Sequence, residues 1–257
     1  MHAGMRDTLL LWTGGFDSTF RLCQLVMVER RPVLPIYIAN PRRRSLLVEL
    51  KAMERIREAI RRRDANAAAL IRPTRLHLIA DYLPVPAHIK RRYELLEQRC
   101  KVGSQYAWLA AAAETHDWGA ELCMPRHEPA SDLQRAIFES PGTDDPTLCA
   151  DEAAKLFEYW RFPLLGLTKA EMRASAESKG FYNIVLLRVF CHEPAFGRPC
   201  GRCRPCQIAI VDGADQDVTF ATRPAVRLRD VWRRLEKAIT VHYAPESAHS
   251  PFGDRPR

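Results

Sequence analysis

A short apolar run that meets two glycines and then becomes an amphipathic helix constrains the fold more than any other feature of the sequence. The run Thr8–Trp12 stops just before Gly14–Gly15, and apolar residues then recur at helical spacing through Phe16–Arg30. A buried strand that passes through a tight turn into a helix is typical of a parallel α/β sheet. We therefore expect strands and helices to alternate along the chain.

The remaining apolar patterns continue this alternation. Three further strands are predicted, at Val33–Ile38, Leu76–Ala80 and Glu121–Met124. Helical periodicity, first-turn carboxylates or a capping box predict helices at Leu46–Arg62, Ser104–Trp118, Asp151–Tyr159 and Thr168–Lys179. Ile184–Val189 is predicted to be a strand or a buried extended segment. We expect a Rossmann-like parallel sheet with helices on both faces.

Charge and hydropathy narrow the class of protein. No apolar run approaches the roughly 18 residues that a membrane span needs, and the N-terminus lacks a secretory signal, so we expect a cytoplasmic protein. The formal net charge of +8 favours partners that carry phosphate. The arginine runs Arg42–Arg44, Arg61–Arg63 and Arg91–Arg92 are interpreted as solvated helix ends and loops rather than as a nucleic-acid surface.

The segment Thr13–Thr19, which reads Thr-Gly-Gly-Phe-Asp-Ser-Thr, is the candidate phosphate-binding loop. Its glycines allow successive backbone N–H groups to approach a ligand, and the helix that follows adds its positive N-terminal end. The hydroxyls of Thr13, Ser18 and Thr19 can donate to phosphate oxygens, and Asp17 is suited to hold Mg²⁺ against them. The spacing excludes a Walker loop and the dinucleotide fingerprint. A glycine-rich turn that binds nothing is the alternative.

Four of the eight cysteines, Cys191, Cys200, Cys203 and Cys206, crowd into sixteen residues as a Cys-x8-Cys-x2-Cys-x2-Cys pattern. In a cytosolic protein this clustering indicates a metal site rather than a disulfide framework. Four thiolates suit Zn²⁺ in a closed site, whose role is structural because it leaves no position for water. An iron–sulfur cluster is the rival interpretation.

The two motifs together resemble a known family. The loop is similar to the SGGxDS signature of the PP-loop ATP pyrophosphatase superfamily, with Thr13 in place of the first serine. With the cysteine pattern and the segments Phe162–Leu164 and Leu167–Glu171, the chain resembles the 7-cyano-7-deazaguanine synthase (QueC) family from about Leu9 to Cys206. The resemblance implies a PP-loop (HUP-type) fold and an ATP-dependent carbon–nitrogen ligase.

The family's reaction is what the resemblance implies for this chain. ATP adenylates the carboxylate of 7-carboxy-7-deazaguanine, ammonia displaces AMP, and a second adenylation dehydrates the amide to the nitrile. By position, Thr13–Thr19 would hold the nucleotide, and the catalytic residues would be Asp17, Lys169 and Arg99. Lys169 could steady phosphate or developing negative charge, or be a solvated first-turn lysine. ATP, Mg²⁺ and Zn²⁺ are the implied cofactors, and a homodimer is expected.

The substrate side departs from the family. The family's Tyr-Gly-Gln after the second strand is replaced by Ile38–Pro41, its Arg-Asn pair by Arg99–Cys100, and its Tyr-Pro-Asp-Cys-Arg run is missing where Met124–Pro129 stands. Adenylation is therefore expected while acceptor and product stay open. The product could be the nitrile of queuosine biosynthesis or, as in QueC-like proteins of anti-phage operons, a deazaguanine joined to a protein amine.

Two further hypotheses use other features. A PP-loop enzyme that modifies tRNA, such as a thiolase, would explain the positive charge and make the cysteines cluster ligands or sulfur carriers. A non-catalytic zinc module that binds nucleic acid would predict salt-sensitive binding without ATP turnover. That module leaves the loop at Thr13–Thr19 unexplained.

The expected organisation has three parts. Residues 1–185 form the PP-loop ATP-binding domain, and residues 186–243 form a zinc-binding segment with a helix near Val231–Ile239. Residues 244–257 are rich in Pro, Ser and His and are predicted to be disordered.

Overall fold

The computed structural model describes residues 6–143, 146–194 and 198–211. The chain divides into two compact units, residues 1–192 and residues 193–257. The predicted helix Val231–Ile239 and the predicted disordered tail lie outside the described residues. Within the described residues, no helix is both long enough and apolar enough to cross a membrane.

Five strands form the sheet of the first unit, and every pair of neighbours is parallel. The strands are β1 (Thr8–Leu11), β2 (Val33–Ala39), β3 (Arg75–Leu78), β4 (Ala120–Glu121) and β5 (Trp160–Arg161). Their order is β3-β2-β1-β4-β5, so the chain moves outward from β1 in both directions. The prediction of an α/β fold with a parallel sheet is confirmed. The reversal of direction beside β1 creates the crevice in which such sheets usually bind ligands.

Helices flank this sheet. In the first unit they are α1 (Phe16–Cys23), α2 (Leu46–Arg63), α3 (Ala65–Ala69), α4 (Ala87–Glu97), α5 (Gln105–His116), α6 (Asp132–Ile137), α7 (Lys169–Ser178) and α8 (Tyr182–Val185). The second unit contributes α9 (Arg204–Val211). A π-helical turn, Gln24–Val28, continues α1.

The apolar residues separate into two clusters because successive side chains of a strand point to opposite faces. Leu11 belongs to the cluster that includes buried residues of α4 and α5. Leu10 belongs to the cluster that includes buried residues of α1, α2 and α7. Because both faces of the sheet are covered there, β1 and β2 read as continuous apolar runs in the sequence.

A buried ion pair fixes α1 against β4. The guanidinium of Arg21 donates through Nε and Nη2 to the two carboxylate oxygens of Glu121, both at 2.8 Å. Arg21 also donates to Glu29 at 2.6 Å. Both members of the Arg21–Glu121 pair are buried, so the contact is shielded from solvent.

Two local predictions are wrong. The predicted helix Asp151–Tyr159 is only a 3₁₀ turn at Ala154–Phe157, because the Asp151 carboxylate caps that turn and the chain enters β5 directly after it. The segment Ile184–Val189 begins as the end of α8 instead of forming a strand. A short apolar run does not by itself distinguish a buried helical turn from a strand.

Candidate active site and metal centre

A cavity of about 460 Å³ opens at the carboxyl end of the sheet. Its walls come from the segments after β1 and β4, the end of β2, α5, the start of α7 and the segment after α8. It therefore lies at the point where the strand order reverses, and its volume is in the range of small-molecule sites.

The glycine loop approaches α2 closely. Gly14 has a φ of +70°, and a Cβ atom placed there would lie 3.3 Å from Cγ of Met53 and 3.5 Å from the carbonyl oxygen of Glu49. Only glycine fits this backbone and this spacing without strain. The loop then enters α1, whose N-cap is Gly15 and whose first N–H groups face away from the helix without an intrahelical partner.

Five of the seven predicted loop residues line the cavity: Thr13, Gly15, Phe16, Asp17 and Ser18. The other two face elsewhere. Gly14 packs against α2, and Thr19 is fully buried, with its Oγ1 accepting a hydrogen bond from the Trp12 indole at 3.2 Å. The Thr19 hydroxyl thus braces the loop from inside the core.

The Asp17 carboxylate is the most unusual group in the cavity wall. Its Oδ1 is buried and has no hydrogen-bond partner among the described residues. Burial raises the pKa of Asp17, and the nearby Lys169, His127 and Arg188 act in the opposite direction. A buried carboxylate oxygen without a partner is stabilised by a bound cation or a proton.

A second polar group of the wall is already engaged. The Tyr37 hydroxyl donates to the buried Glu49 carboxylate at 2.7 Å, and Arg43 lies 3.9 Å from the same carboxylate. Burial and the Glu49 charge raise the pKa of Tyr37, so its hydroxyl keeps its proton. Arg43 itself lines the cavity and adds positive charge near the loop.

Lys169 is placed at the cavity by a helix start that the sequence predicted. It is the first residue of α7, after the capping box in which Thr168 and Glu171 bond each other's backbone N–H groups. Lys169 lines the cavity together with the glycine loop. The structure thus brings Lys169 and Asp17 to one site.

Arg126, which the sequence did not single out, joins two segments of the rim. Its backbone N–H donates to the Leu167 carbonyl at 2.8 Å, and its guanidinium donates to the Gly166 carbonyl at 2.7 Å. The same guanidinium donates to both carboxylate oxygens of Glu171 at 3.0 Å. These bonds hold the residue that follows, His127, on the rim that also carries Lys169.

Another part of the cavity wall is mainly apolar and aromatic. It consists of Tyr106, Trp108, Leu109, Leu122, Met124 and Leu133, with Gln105, Cys123 and Ser131 as polar members. Burial, together with the Glu121 and Asp17 charges, raises the pKa of Cys123 well above its usual range. Cys123 is therefore a neutral thiol, and this wall suits a flat, largely uncharged ring system.

Arg99 lies elsewhere. It is not among the residues that line the cavity, and its guanidinium donates to the Asp151 carboxylate at 2.8 Å. The structure thus brings Asp17 and Lys169 together but not Arg99.

The four predicted metal ligands lie together. The sulfur atoms of Cys191, Cys200, Cys203 and Cys206 are all within 4.8 Å of one another. Sγ of Cys206 is 3.4 Å from Sγ of Cys203 and 4.0 Å from Sγ of Cys200. Tetrahedral Zn²⁺ with thiolates places neighbouring sulfurs about 3.8 Å apart. The cluster can therefore hold a metal ion such as zinc.

The chain that leads to Cys191 touches the glycine loop. The backbone N–H of Val189 donates to the Gly14 carbonyl at 2.8 Å. The Arg188 guanidinium lies over the Phe16 ring, 5.6 Å from its centroid. This segment therefore fixes one side of the loop.

The described residues thus carry two candidate sites: a cavity with an unpartnered carboxylate oxygen and a four-cysteine cluster. The cavity contains the sequence-predicted loop and Lys169, together with His127, which the sequence did not indicate. Comparison of the chain with known protein families, with curated proteins and with solved structures finds no match.

Proposed function

We propose that this chain is an ATP-using enzyme of the PP-loop type that activates a carboxylate as an acyl-adenylate and transfers the acyl group to a nitrogen nucleophile. The observation that carries the proposal is the buried, unpartnered Oδ1 of Asp17 in a cavity lined by a glycine loop and the start of α1. Mg²⁺ accompanying a triphosphate is a cation that such an oxygen would bind. The likeness of Thr13–Thr19 to the PP-loop signature supports the same assignment.

The loop end of the cavity offers three kinds of contact to the phosphates. N–H groups at the start of α1 can bind anionic oxygens. The hydroxyls of Thr13 and Ser18 can donate to them. Lys169 and Arg43 supply positive charge for the pyrophosphate that leaves. Mg²⁺ held by Asp17 would neutralise phosphate charge and make the α-phosphorus more electrophilic.

The aromatic wall is suited to the acid that is activated. A planar heterocycle can stack on Tyr106 or Trp108 and present its carboxylate toward the loop. In the first step a carboxylate oxygen bonds the α-phosphorus of ATP while the bond to the β-phosphate breaks, which releases pyrophosphate. We propose 7-carboxy-7-deazaguanine or a close relative as this acid, on the resemblance to the QueC family.

The cysteine cluster has a structural role in this proposal. Four thiolates complete the coordination of Zn²⁺ and leave no position for water or substrate. The spacing of the sulfurs matches that around one tetrahedral ion, which supports a single zinc ion over an iron–sulfur cluster. Zinc bound there would stabilise the folded segment that contains the cysteines.

The test is an exchange assay. The purified protein, with its metal, is incubated with ATP, Mg²⁺, labelled pyrophosphate and 7-carboxy-7-deazaguanine. We expect label to enter ATP only when the acid is present. Binding of magnesium-ATP without exchange for any of a panel of aromatic acids would contradict adenylation, and no binding of magnesium-ATP would contradict the enzyme assignment as a whole.

Product analysis then identifies the acceptor. With ammonia, mass spectrometry distinguishes amide from nitrile, which is the queuosine-type product. With a cell extract lacking small amines, a deazaguanine-sized mass increase on a protein would identify the conjugating activity. Label in tRNA would instead support the tRNA-modifying alternative.

A further inference from the structure

His127 is a cavity residue to which the proposed adenylation step gives no role. Two residues before it, Pro125 is buried, and its carbonyl accepts a hydrogen bond from Gln134 at 2.8 Å. Arg126, which directly precedes His127, is bonded to Leu167 and Glu171. The backbone that leads into His127 is therefore held at two consecutive residues, while the His127 side chain is exposed and lines the cavity.

Transfer of an acyl group to nitrogen requires a proton acceptor. When an amine bonds the acyl carbon, its nitrogen becomes positively charged and must lose a proton before the product is stable. An acceptor for this proton has to lie in the cavity and be uncharged or anionic near neutral pH.

The other polar side chains of the cavity are unsuited to this role. Arg43 and Lys169 are cations, and the Asp17 carboxylate is assigned to Mg²⁺ in the proposed function. Glu49 already accepts from Tyr37 and faces Arg43. Burial raises the pKa of the Cys123 thiol and of the Tyr106 phenol, and both groups are neutral acids.

Two imidazoles are left among the residues that line the cavity, His127 and His192. His192 directly follows Cys191 of the metal cluster, which ties its position to that cluster. His127 stands on the rim next to the start of α7, where Lys169 also lines the cavity. Imidazole is the side chain best suited to exchange a proton near neutral pH.

We propose that His127 is the general base that deprotonates the nitrogen nucleophile; this inference rests on the proposed function. The nitrogen lone pair forms the bond to the acyl carbon, the bond from that carbon to the AMP oxygen breaks, and AMP leaves with the electron pair. The nitrogen's proton passes to the free ring nitrogen of His127 and then to water. This help matters most for basic amines, because their positively charged adducts lose a proton to water slowly.

The experiment compares two steps and two nucleophiles in the variant His127→Gln. Pyrophosphate exchange reports adenylation, and product formation from ammonia or hydroxylamine reports acyl transfer. We expect exchange to stay within about twofold of the unmodified protein, and transfer to ammonia to fall on the order of 10²–10³-fold. Hydroxylamine is weakly basic and its adduct loses a proton readily to water, so its transfer should fall far less.

The control variants are His88→Gln and His192→Gln. His88 is an exposed histidine that pairs with Glu114 outside the cavity, so its replacement should leave both steps unchanged. Equal losses for ammonia and hydroxylamine in His127→Gln, or an equal loss of exchange, would overturn the base assignment. So would a nucleophile-selective loss in His192→Gln instead. Absence of exchange in the unmodified protein would instead overturn the proposed function, and the base assignment with it.

Discussion

The two ends of the cavity are built in different ways. The end that we propose for phosphate, called the phosphate end below, is a continuous stretch, Thr13–Ser18, whose conformation is set by one glycine and one helix start. The end that we propose for the activated acid, called the acid end below, is assembled from α5, the segment after β4 and the rim at α7, which are distant in sequence. A continuous loop can keep one ligand chemistry, such as triphosphate binding, while separate segments change one at a time. We therefore expect substitutions at the two ends to have separable effects.

The variant Asp17→Asn should produce the largest effect, and only at the phosphate end. It removes the carboxylate charge that we propose binds Mg²⁺, so the rate of pyrophosphate exchange should fall on the order of 10³-fold. The acid should still bind, which fluorescence of Trp108 can report. The matched control is Asp117→Asn, because Asp117 is exposed, has a φ of +46° that asparagine tolerates, and is remote from the cavity. Retained exchange in Asp17→Asn would place the metal elsewhere.

The variant Trp108→Ala should produce the next largest effect, at the acid end of the cavity. Loss of the stacking surface should raise the KM for the carboxylate by about tenfold, which corresponds to the worth of one aromatic contact. The KM for ATP should not change. Trp108→Phe keeps a flat ring and should behave almost like the unmodified protein. A larger change in the KM for ATP than for the acid would show that adenine, not the acid, uses this wall.

The variant Gly14→Ala tests the glycine that shapes the loop. Its positive φ and its 3.3 Å approach to Met53 predict a loss of about 1–2 kcal/mol in the free energy of unfolding. Urea denaturation measures this loss. Gly103→Ala is the control, because a Cβ there meets only side-chain atoms at 3.7 Å or more. Equal stability of the two variants would mean that the loop is not constrained as described.

The smallest expected effect is on the free energy of unfolding of Asp17→Asn in the absence of nucleotide. Burial raises the pKa of Asp17, so the folded state holds that proton more tightly than the unfolded state does. Ionisation at neutral pH therefore destabilises the folded protein. Asp17→Asn should unfold at a higher urea concentration than the unmodified protein at pH 7, and the difference should vanish in acid, where the carboxyl is protonated in both states. A difference that grows in acid would contradict this sign.

The sequence correctly placed the glycine loop between a strand and a helix because these signals are local. Glycine spacing, an apolar strand and a helix start all lie within the same stretch, and five of its seven residues line the cavity. The Thr19 hydroxyl is predicted to donate to phosphate because Thr19 belongs to the loop in the sequence. In the structure Thr19 is buried and accepts a hydrogen bond from the Trp12 indole. This contact forms only when the strand and the helix pack together, so the sequence pattern does not reveal it.

The acid end of the cavity was harder to predict because the hydrogen bonds that position its residues join segments distant in sequence. Arg126 bonds Gly166 and Glu171, which follow it by 40 and 45 residues, and no short motif announces that pairing. His127 gains its place from those bonds. The carboxylate of Asp151 was interpreted as a helix start, whereas it caps a 3₁₀ turn and accepts from Arg99.

The buried pair of Arg21 and Glu121 joins two elements that lead to different parts of the cavity wall. Arg21 stands on the helix that starts at the glycine loop, and Glu121 is the last residue of the strand before Leu122 and Met124, which line the cavity. Two short hydrogen bonds between them resist both separation and sliding. In the proposed enzyme, the distance between the glycine loop and the aromatic wall would then stay constant. The site would select acids by the length between their ring and their carboxylate.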